Sequence, residues 1–505
     1  MPINPFAYPK PLAFIAGAIL PCAFAPFGQS YLAPFMLAIL FFCWQQCSTP
    51  QQAAWLGYLF GLGQFGLGTW WVFISMHEFS GAGTLPSSLL TLLFISVLAL
   101  FPALAGGAAR WLCRGEMPVW QVILIFPTTW IIGEIMRGSI MNGFPWLEIG
   151  YSQTDTPLAG YAPVFGSYGV GWLTALTAAS IWLLFQIRVA AYRLVASLIL
   201  IWAAGAGLKL IDWHQPAGEP FQATLLQGNI PQDMKWQPET RRRILETYLT
   251  MTRQHWDSKL IVWPETAVPA FLHQVRNSFI NPLEKEAIQK GSDLLIGVPV
   301  LDQTTNQYYN AIISLGQTPG VYYKRHLVPF GEYLPLRSVF GFVLDLLQIP
   351  LSDFAAGSDD QPLLIAAGYP LSPTICYEDA FARDALAGLP EATYMVNVSN
   401  DAWFGDSIAP HQHLQMARMR ALEGARFLLR ATNTGITAVI GPDGKVRSQA
   451  AQFVRTSLTE QITPLAGATP YVRWRDWPLW LWLFIISAGG LWLRLREQGA
   501  SDETR

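Results

Sequence analysis

Three short stretches of this 505-residue chain carry side chains suited to nucleophilic catalysis. In LSPTICYEDAFARD, Cys376 ends an apolar run and is followed by Tyr377, Glu378 and Asp379. In LIVWPETAVP, Glu265 follows a Trp-Pro pair. The stretch YYKRHLVPFGEYLP supplies Lys324 and, further on, Glu332. A thiol becomes a strong nucleophile once a base takes its proton. A carboxylate partly desolvated at a turn is such a base, and a fixed ammonium holds developing negative charge. Taken singly, each residue has an ordinary explanation. A free cysteine is most often a small buried hydrophobe. Glu265 reads equally as a solvated loop carboxylate, and Arg325 beside Lys324 fits a surface pair.

Such side chains work only where strands end and loops begin. Between residues 220 and 465 run the segments FQATLLQ, KLIVWPE, DLLIGVPV, YNAIISL, LSPTICYE, TYMVNVSN and GITAVIG. Their apolar runs are short and bounded by Gly, Pro, Asn or Asp, as in strands buried on both faces. PETRRRILETYLTMTRQHW predicts a helix with Ile244, Leu245, Tyr248, Leu249 and Thr252 along one face. HQHLQMARMRALEGARFLLR predicts another, with Met416, Met419 and Leu422 facing the core. Strands alternating with helices imply an α/β domain, large enough to bury a core without staples. Pro264 turns the chain at Glu265. Cys376 is read at the start of a helix running through YEDAFARDAL, whose N-terminus favours a thiolate and an oxyanion.

The remainder is of a different composition. The chain is 52% hydrophobic and 13% charged, with 21 tryptophans, which points to membrane spans. Residues 1–210 hold only twelve of the charged side chains, and none lies between Pro11 and Met76. Crossing a hydrocarbon core about 30 Å thick takes about 20 apolar helical residues. Spans are predicted near 11–27, 30–46, 53–75, 86–107, 118–137, 165–187 and 192–210, with an eighth near 476–493. These runs are apolar all round, so barrel strands are excluded. Lys10, Arg110, Arg114, Arg188, Arg193, Arg494 and Arg496 fall on one side, and little beyond Arg137 falls on the other. The positive side stays in the cytoplasm, so both termini are expected inside and the α/β domain outside. No small-residue cleavage site closes the first apolar run, which is read as a retained span. The expected domains are 1–210 (about seven transmembrane helices), 211–472 (catalytic) and 473–505 (a last helix with a short cytoplasmic tail). A net charge of −2 argues against a nucleic-acid partner. An exported domain with one cysteine cannot close an internal disulfide, so Cys376 stays a free thiol.

WPE, KRHLVPFGE and CYED, in this order and at these spacings, resemble the Glu–Lys–Cys triad motifs of the nitrilase superfamily. An apolar multi-span half, this domain and one C-terminal span together resemble the apolipoprotein N-acyltransferase family. SNDAWFGDSIAPHQHLQMARMRALEGAR and NGFPWLEIGY extend that resemblance over nearly the whole chain. It implies a polytopic membrane protein with an extracytoplasmic αββα sandwich in the inner membrane of a bacterium. The implied activity is acyl transfer from a phospholipid, through a Cys376 thioester, to the amino group of the diacylglyceryl-modified N-terminal cysteine of an apolipoprotein. Glu265 is then the base, Lys324 and the Tyr377 N–H the oxyanion donors, and Glu332 and Glu378 supporting residues. No cofactor and no metal are implied, and a monomer is expected.

Other residues are weaker candidates. Trp236, Asn310 and Trp403 are read as lining the pocket, with core packing as the alternative. Trp146 and Tyr151 are placed at headgroup level, and Arg137 against a lipid phosphate or paired with Glu134. SVFGFVLDLLQIPLSDF reads as a membrane-dipping lid or a buried helix. His411 and His413, two apart on a helix, point away from each other and make a poor metal pair. Two other functions compete with acyl transfer. A membrane-anchored amidase or nitrile hydrolase would let water attack the thioester. A lipid-binding or transport protein would leave the ordered triad unexplained.

Overall fold

The computed structural model describes residues 9–79, 83–113, 118–186, 191–334 and 353–502, the side chains of 497–502 excepted. The predicted lid falls almost entirely outside these residues. The chain divides into two compact units. One comprises Met1–Met76, Gly83–Ile211 and Trp474–Arg505, the other His77–Ala82 and Asp212–Arg473.

The first unit is helical. Among the described residues, five helices are long and apolar enough to cross a membrane: Thr84–Leu112, Val119–Arg137, Pro157–Leu184, Ala191–Leu208 and Trp477–Arg496. The predicted single span at 53–75 is instead a pair, Pro50–Gly68 and Val72–Phe79, bent by 57°. The break falls after Gly68 at Thr69, whose hydroxyl bonds back to the Phe65 carbonyl at 2.8 Å. Pro9–Ala23 and Leu32–Gln45 are apolar but shorter. Lipid offers no hydrophobic drive between helices, so close packing rests on small residues. A Cβ on Gly57 would fall on the Pro102 carbonyl, and one on Gly61 would lie 2.7 Å from the Ala99 Cα. The helices Pro50–Gly68 and Thr84–Leu112 therefore meet backbone to backbone.

The second unit is built on strands β1 (Gln215–Pro216), β2 (Phe221–Gln227), β3 (Leu260–Val262), β4 (Asp293–Asp302), β5 (Gln307–Leu315), β6 (Gly320–Tyr323), β7 (Leu364–Ala366), β8 (Tyr369–Ile375), β9 (Tyr394–Ser399), β10 (Leu428–Thr432), β11 (Ala438–Ile440), β12 (Val446–Gln449), β13 (Thr456–Ile462) and β14 (Leu465–Ala466). One six-stranded sheet has the order β13-β2-β3-β4-β5-β6, the other β12-β11-β10-β9-β8-β7. β2, β3 and β4 run parallel, as do β8, β9 and β10. The short pair β1 and β14 is antiparallel.

Alternation along each strand sets the layers. Ala223, Leu225, Leu260, Val262, Leu295 and Ile312 of one sheet meet Leu371, Ile375, Val396, Val398 and Leu429 of the other in one core. The opposite faces carry helices. Ile244, Tyr248 and Met251 of Pro238–Arg253, with Leu283 and Ala287 of Asn281–Lys290, cover Ile261, Leu294 and Ile296. Leu414, Ala417 and Ala421 of Ala409–Gly424 cover Met395, Leu428 and Ile440. The result is the expected αββα stack.

Two sequence readings are corrected. The helix predicted through Arg430 ends at Gly424; Ala425 takes φ +49, and FLLR enters β10. Its buried, β-prone residues complete the parallel trio with β9, and that pairing overrides helical periodicity. The helix predicted from Cys376 is a 3₁₀ turn, Cys376–Ala380, interrupted at extended Phe381 before the four-residue helix Ala382–Ala385.

Candidate active site

The expected catalytic side chains follow strand ends in both sheets. Glu265 follows β3, Lys324 follows β6, and Cys376 follows β8. The crevice beyond the carboxyl ends of parallel strands is where α/β sheets place their chemistry.

Cys376 has φ +53, a conformation that non-glycine residues occupy only under tertiary constraint. The constraint is visible on both sides. The Ile375 N–H donates to Glu378 Oε2 at 2.7 Å, and Asn397 Nδ2 donates to the Cys376 carbonyl at 3.3 Å. Cys376 keeps part of its surface open. Burial pushes its thiol well above the ordinary range; Glu265 adds to the rise and Lys324 opposes it. Burial therefore favours the protonated sulfur over the bare thiolate.

Glu265 is 7% exposed. Its Oε1 accepts from Asn310 Nδ2 at 2.7 Å and lies 3.9 Å from Lys324 Nζ. Burial raises its carboxyl above the usual range, and the Lys324 charge works against that rise. The turn that carries it presses on β4. A Cβ on Gly297 would fall on the Pro264 carbonyl, 2.6 Å from Thr266 N and 2.8 Å from the Glu265 Cα.

Lys324, 1% exposed, donates to Glu332 Oε1 at 2.8 Å. Burial opposes its charge, but Glu332, then Glu265, outweigh it and raise the ammonium above its ordinary value. Its charge is thus fixed at neutral pH. Glu332 is itself held, its Oε2 accepting from the Val328 N–H at 2.8 Å.

Glu378 joins two of these strand ends. Besides Ile375, it accepts from the backbone N–H of Arg325 at 2.6 Å and of His326 at 3.1 Å, and from the Tyr322 hydroxyl at 3.0 Å. It is fully buried, and burial lifts its carboxyl to about 7. Tyr377 packs edge-on against Phe381 at 5.1 Å and His326 at 5.8 Å.

Of the pocket candidates, Trp236 is 50% exposed and Trp403 is 41% exposed. Trp403 meets Phe79 edge-on at 4.9 Å, within the same compact unit. Asn310 is buried and holds Glu265 rather than lining a wall. Trp146, Tyr151 and Arg137, expected at headgroup level, are all interior to the helical unit. Arg137 donates to the carbonyls of Phe144 at 2.6 Å and Trp146 at 2.5 Å, and caps the Phe65 ring at 5.3 Å. Its guanidinium organises NGFPWLEIGY from inside, and Glu134 accepts from the Ile149 N–H at 2.9 Å in the same segment.

Two features escaped the sequence reading. Lys235 is buried against the Glu265 turn. Beneath Cys376, a sealed ionic cluster joins Asp379, Asp401, His413 and Arg430. Arg430 bonds Asp379 Oδ2 at 2.8 Å and Asp401 Oδ2 at 3.0 Å. The two His413 ring nitrogens face Asp379 Oδ1 at 2.6 Å and Asp401 Oδ1 at 3.0 Å. His413, set aside as half of a weak metal pair, thus braces the turn after Cys376. The signal in sequence was an Asp three residues after the cysteine and an Asp two residues before Trp403.

A thiol, a buried carboxylate and a charged ammonium stand at strand ends of an αββα sandwich, as the resemblance to the nitrilase superfamily implies. Residues 222–471 match the Carbon-nitrogen hydrolase family model. Residues 16–180 match the Apolipoprotein N-acyltransferase N-terminal domain. The chain is 55% identical to Apolipoprotein N-acyltransferase of Methylococcus capsulatus, over 98% of this chain and 98% of that protein. It is 41% identical to the Coxiella burnetii protein of the same name, over 93% of this chain and 96% of the other. A solved structure of Saccharomyces cerevisiae Nit3, a member of branch 10 of the nitrilase superfamily, aligns with 49% of this chain and 91% of its own at 18% identity and TM-score 0.37. The chain belongs to the apolipoprotein N-acyltransferase family.

Proposed function

We propose that this protein moves an acyl chain from a membrane phospholipid to the N-terminal amino group of a diacylglyceryl-modified cysteine on apolipoproteins. Cys376 Sγ attacks the ester carbonyl while Glu265 takes the thiol proton. Lys324 and the Tyr377 N–H hold the oxyanion. The intermediate collapses, the glyceryl oxygen leaves with the proton from Glu265, and a thioester remains. The acceptor amine then attacks that thioester and gives its proton to Glu265, which returns it to the departing sulfur. Proton transfer of this kind is worth about 10²–10⁴-fold, and one oxyanion donor about 10²–10³-fold.

The observation that carries this reading is the 3.9 Å approach of Lys324 to Glu265, with the Cys376 thiol in the field of both. Its raised thiol and raised carboxyl suit a proton handed over during attack. Membership of the family supports the substrate pair. The apolar helices and the one-sided distribution of Lys and Arg support a multi-pass protein of the bacterial inner membrane, with termini in the cytoplasm and residues 211–472 on the periplasmic side. Both substrates carry chains that would expose CH₂ groups to water at about 0.8 kcal/mol each, so a membrane-fused enzyme fits them.

The test is product analysis with labelled phospholipid and a diacylglyceryl peptide. N-acylated peptide as the main product supports the proposal. Free fatty acid as the main product, with acceptor present, assigns the domain to hydrolysis instead.

A further inference from the structure

Lys235 lies at the end of the short helix Gln232–Lys235 and is 3% exposed. The segment is anchored by Asn400 Nδ2, which donates to Gln232 Oε1 at 2.8 Å. From there the Lys235 ammonium reaches the turn after β3. It donates to the backbone carbonyl of Glu265 at 3.2 Å and to the Thr266 hydroxyl at 2.5 Å. That turn is strained: Thr266 has φ +44, a poor conformation for a β-branched residue. It is also crowded from behind by Gly297. A lysine is rarely buried without partners, and these two acceptors supply them.

We propose that Lys235 is a positioning residue of the acyl-transfer site, pinning the turn that carries Glu265 and setting a second positive charge in the field of its carboxylate. The division of labour is geometric. Lys324 approaches the Glu265 carboxylate, whereas Lys235 holds its backbone. Burial lowers the Lys235 ammonium to about 8, with Glu265 and then Cys376 acting in the opposite sense, so it stays mostly charged at neutral pH. The groups acting on Glu265 are Lys324 from the end of β6, Glu332 from the following loop, Lys235, and Asn310 from β5. Cys376, after β8, also feels the Glu265 charge. Of these, Lys324 and Lys235 favour the ionised base and Glu332 opposes it.

The inference rests on Glu265 acting as the base, so Glu265→Gln is measured alongside. The readout is the pH dependence of acyl-enzyme formation by the full-length protein with phospholipid in micelles. Lys235→Met and Lys235→Gln are expected to move the acid limb upward by about 1 pH unit, with most of the rate recovered at higher pH and KM unchanged. Lys235→Arg keeps the charge and the wild-type limb. Thr266→Val leaves the charge but removes one acceptor, and lowers the rate by the same factor at every pH. An unmoved acid limb in both uncharged variants overturns the proposal, as does a uniform loss that Lys235→Arg shares. If Glu265→Gln forms acyl-enzyme at the wild-type rate, the assignment of the base has failed, and that result is distinct from any of the Lys235 outcomes.

Discussion

The Lys324 ammonium, itself buried, donates at 2.8 Å to Oε1 of the partly open Glu332. Glu332, ahead of Glu265, keeps the lysine charged, and its hydrogen bond aims it. Glu332→Gln retains the shape and an oxygen acceptor but removes the charge. Acyl-enzyme formation should fall by about 10–100-fold, less than the roughly 10²–10³-fold expected for removing an oxyanion donor by Lys324→Met. Single-turnover kinetics on both variants check the order.

Gly297 has no room for a side chain, because the backbone atoms it would strike belong to the Glu265 turn. Gly297→Ala should cost about 1–3 kcal/mol in stability. The larger effect should be on chemistry, since a displacement of about 1 Å can remove about 10²-fold in rate. Thermal unfolding and acylation rates, measured on the same preparation, separate the two.

The cluster under Cys376 sets a different expectation. Arg430 bonds two buried aspartates, Asp379 and Asp401, and shares them with His413. Arg430→Met leaves those two carboxylates with His413 as their remaining cationic partner and should destabilise by about 3–5 kcal/mol. Replacing both aspartates with Asn in the Arg430→Met background should recover part of that loss, which denaturant unfolding of the triple variant measures.

His413 gives that cluster a pH dependence. Burial and then Arg430 oppose its charge, yet Asp379 and Asp401 outweigh them and raise it above the ordinary 6.5. The folded state therefore binds the proton more tightly than the unfolded chain does. The stabilisation is complete below pH 6.5 and is lost as pH rises through the folded value. His413→Gln should flatten the fall in melting temperature above pH 6.5, which thermal scans across pH detect.

The strands FQATLLQ, DLLIGVPV and YNAIISL were legible because burial, length and flanking turn residues all pointed one way. The ends of elements were less so. FLLR continues an apolar helical pattern, and only pairing with β9 makes it a strand. The turn after Cys376 reads as a helix start, but Glu378 folds back to the Ile375 N–H and tightens it. Motif order singled out Glu265, Lys324 and Cys376, and the structure sets Lys324 3.9 Å from Glu265 with Cys376 in the field of both. Lys235 was hidden beside the more conspicuous Trp236, since nothing local shows that its ammonium turns inward to a turn 30 residues away. Arg137 and Trp146 looked like surface groups because aromatic and basic residues near span ends usually are. Their burial depends on how a loop folds back into the helices.

The most direct measurement is peptide mass spectrometry of the purified protein after incubation with phospholipid and no acceptor. The predicted result is a fatty acyl adduct on the peptide holding Cys376, released by hydroxylamine, discharged by an amine acceptor and absent from Cys376→Ala. An adduct on another residue, or acceptor acylation by Cys376→Ala, would contradict a thioester at this sulfur.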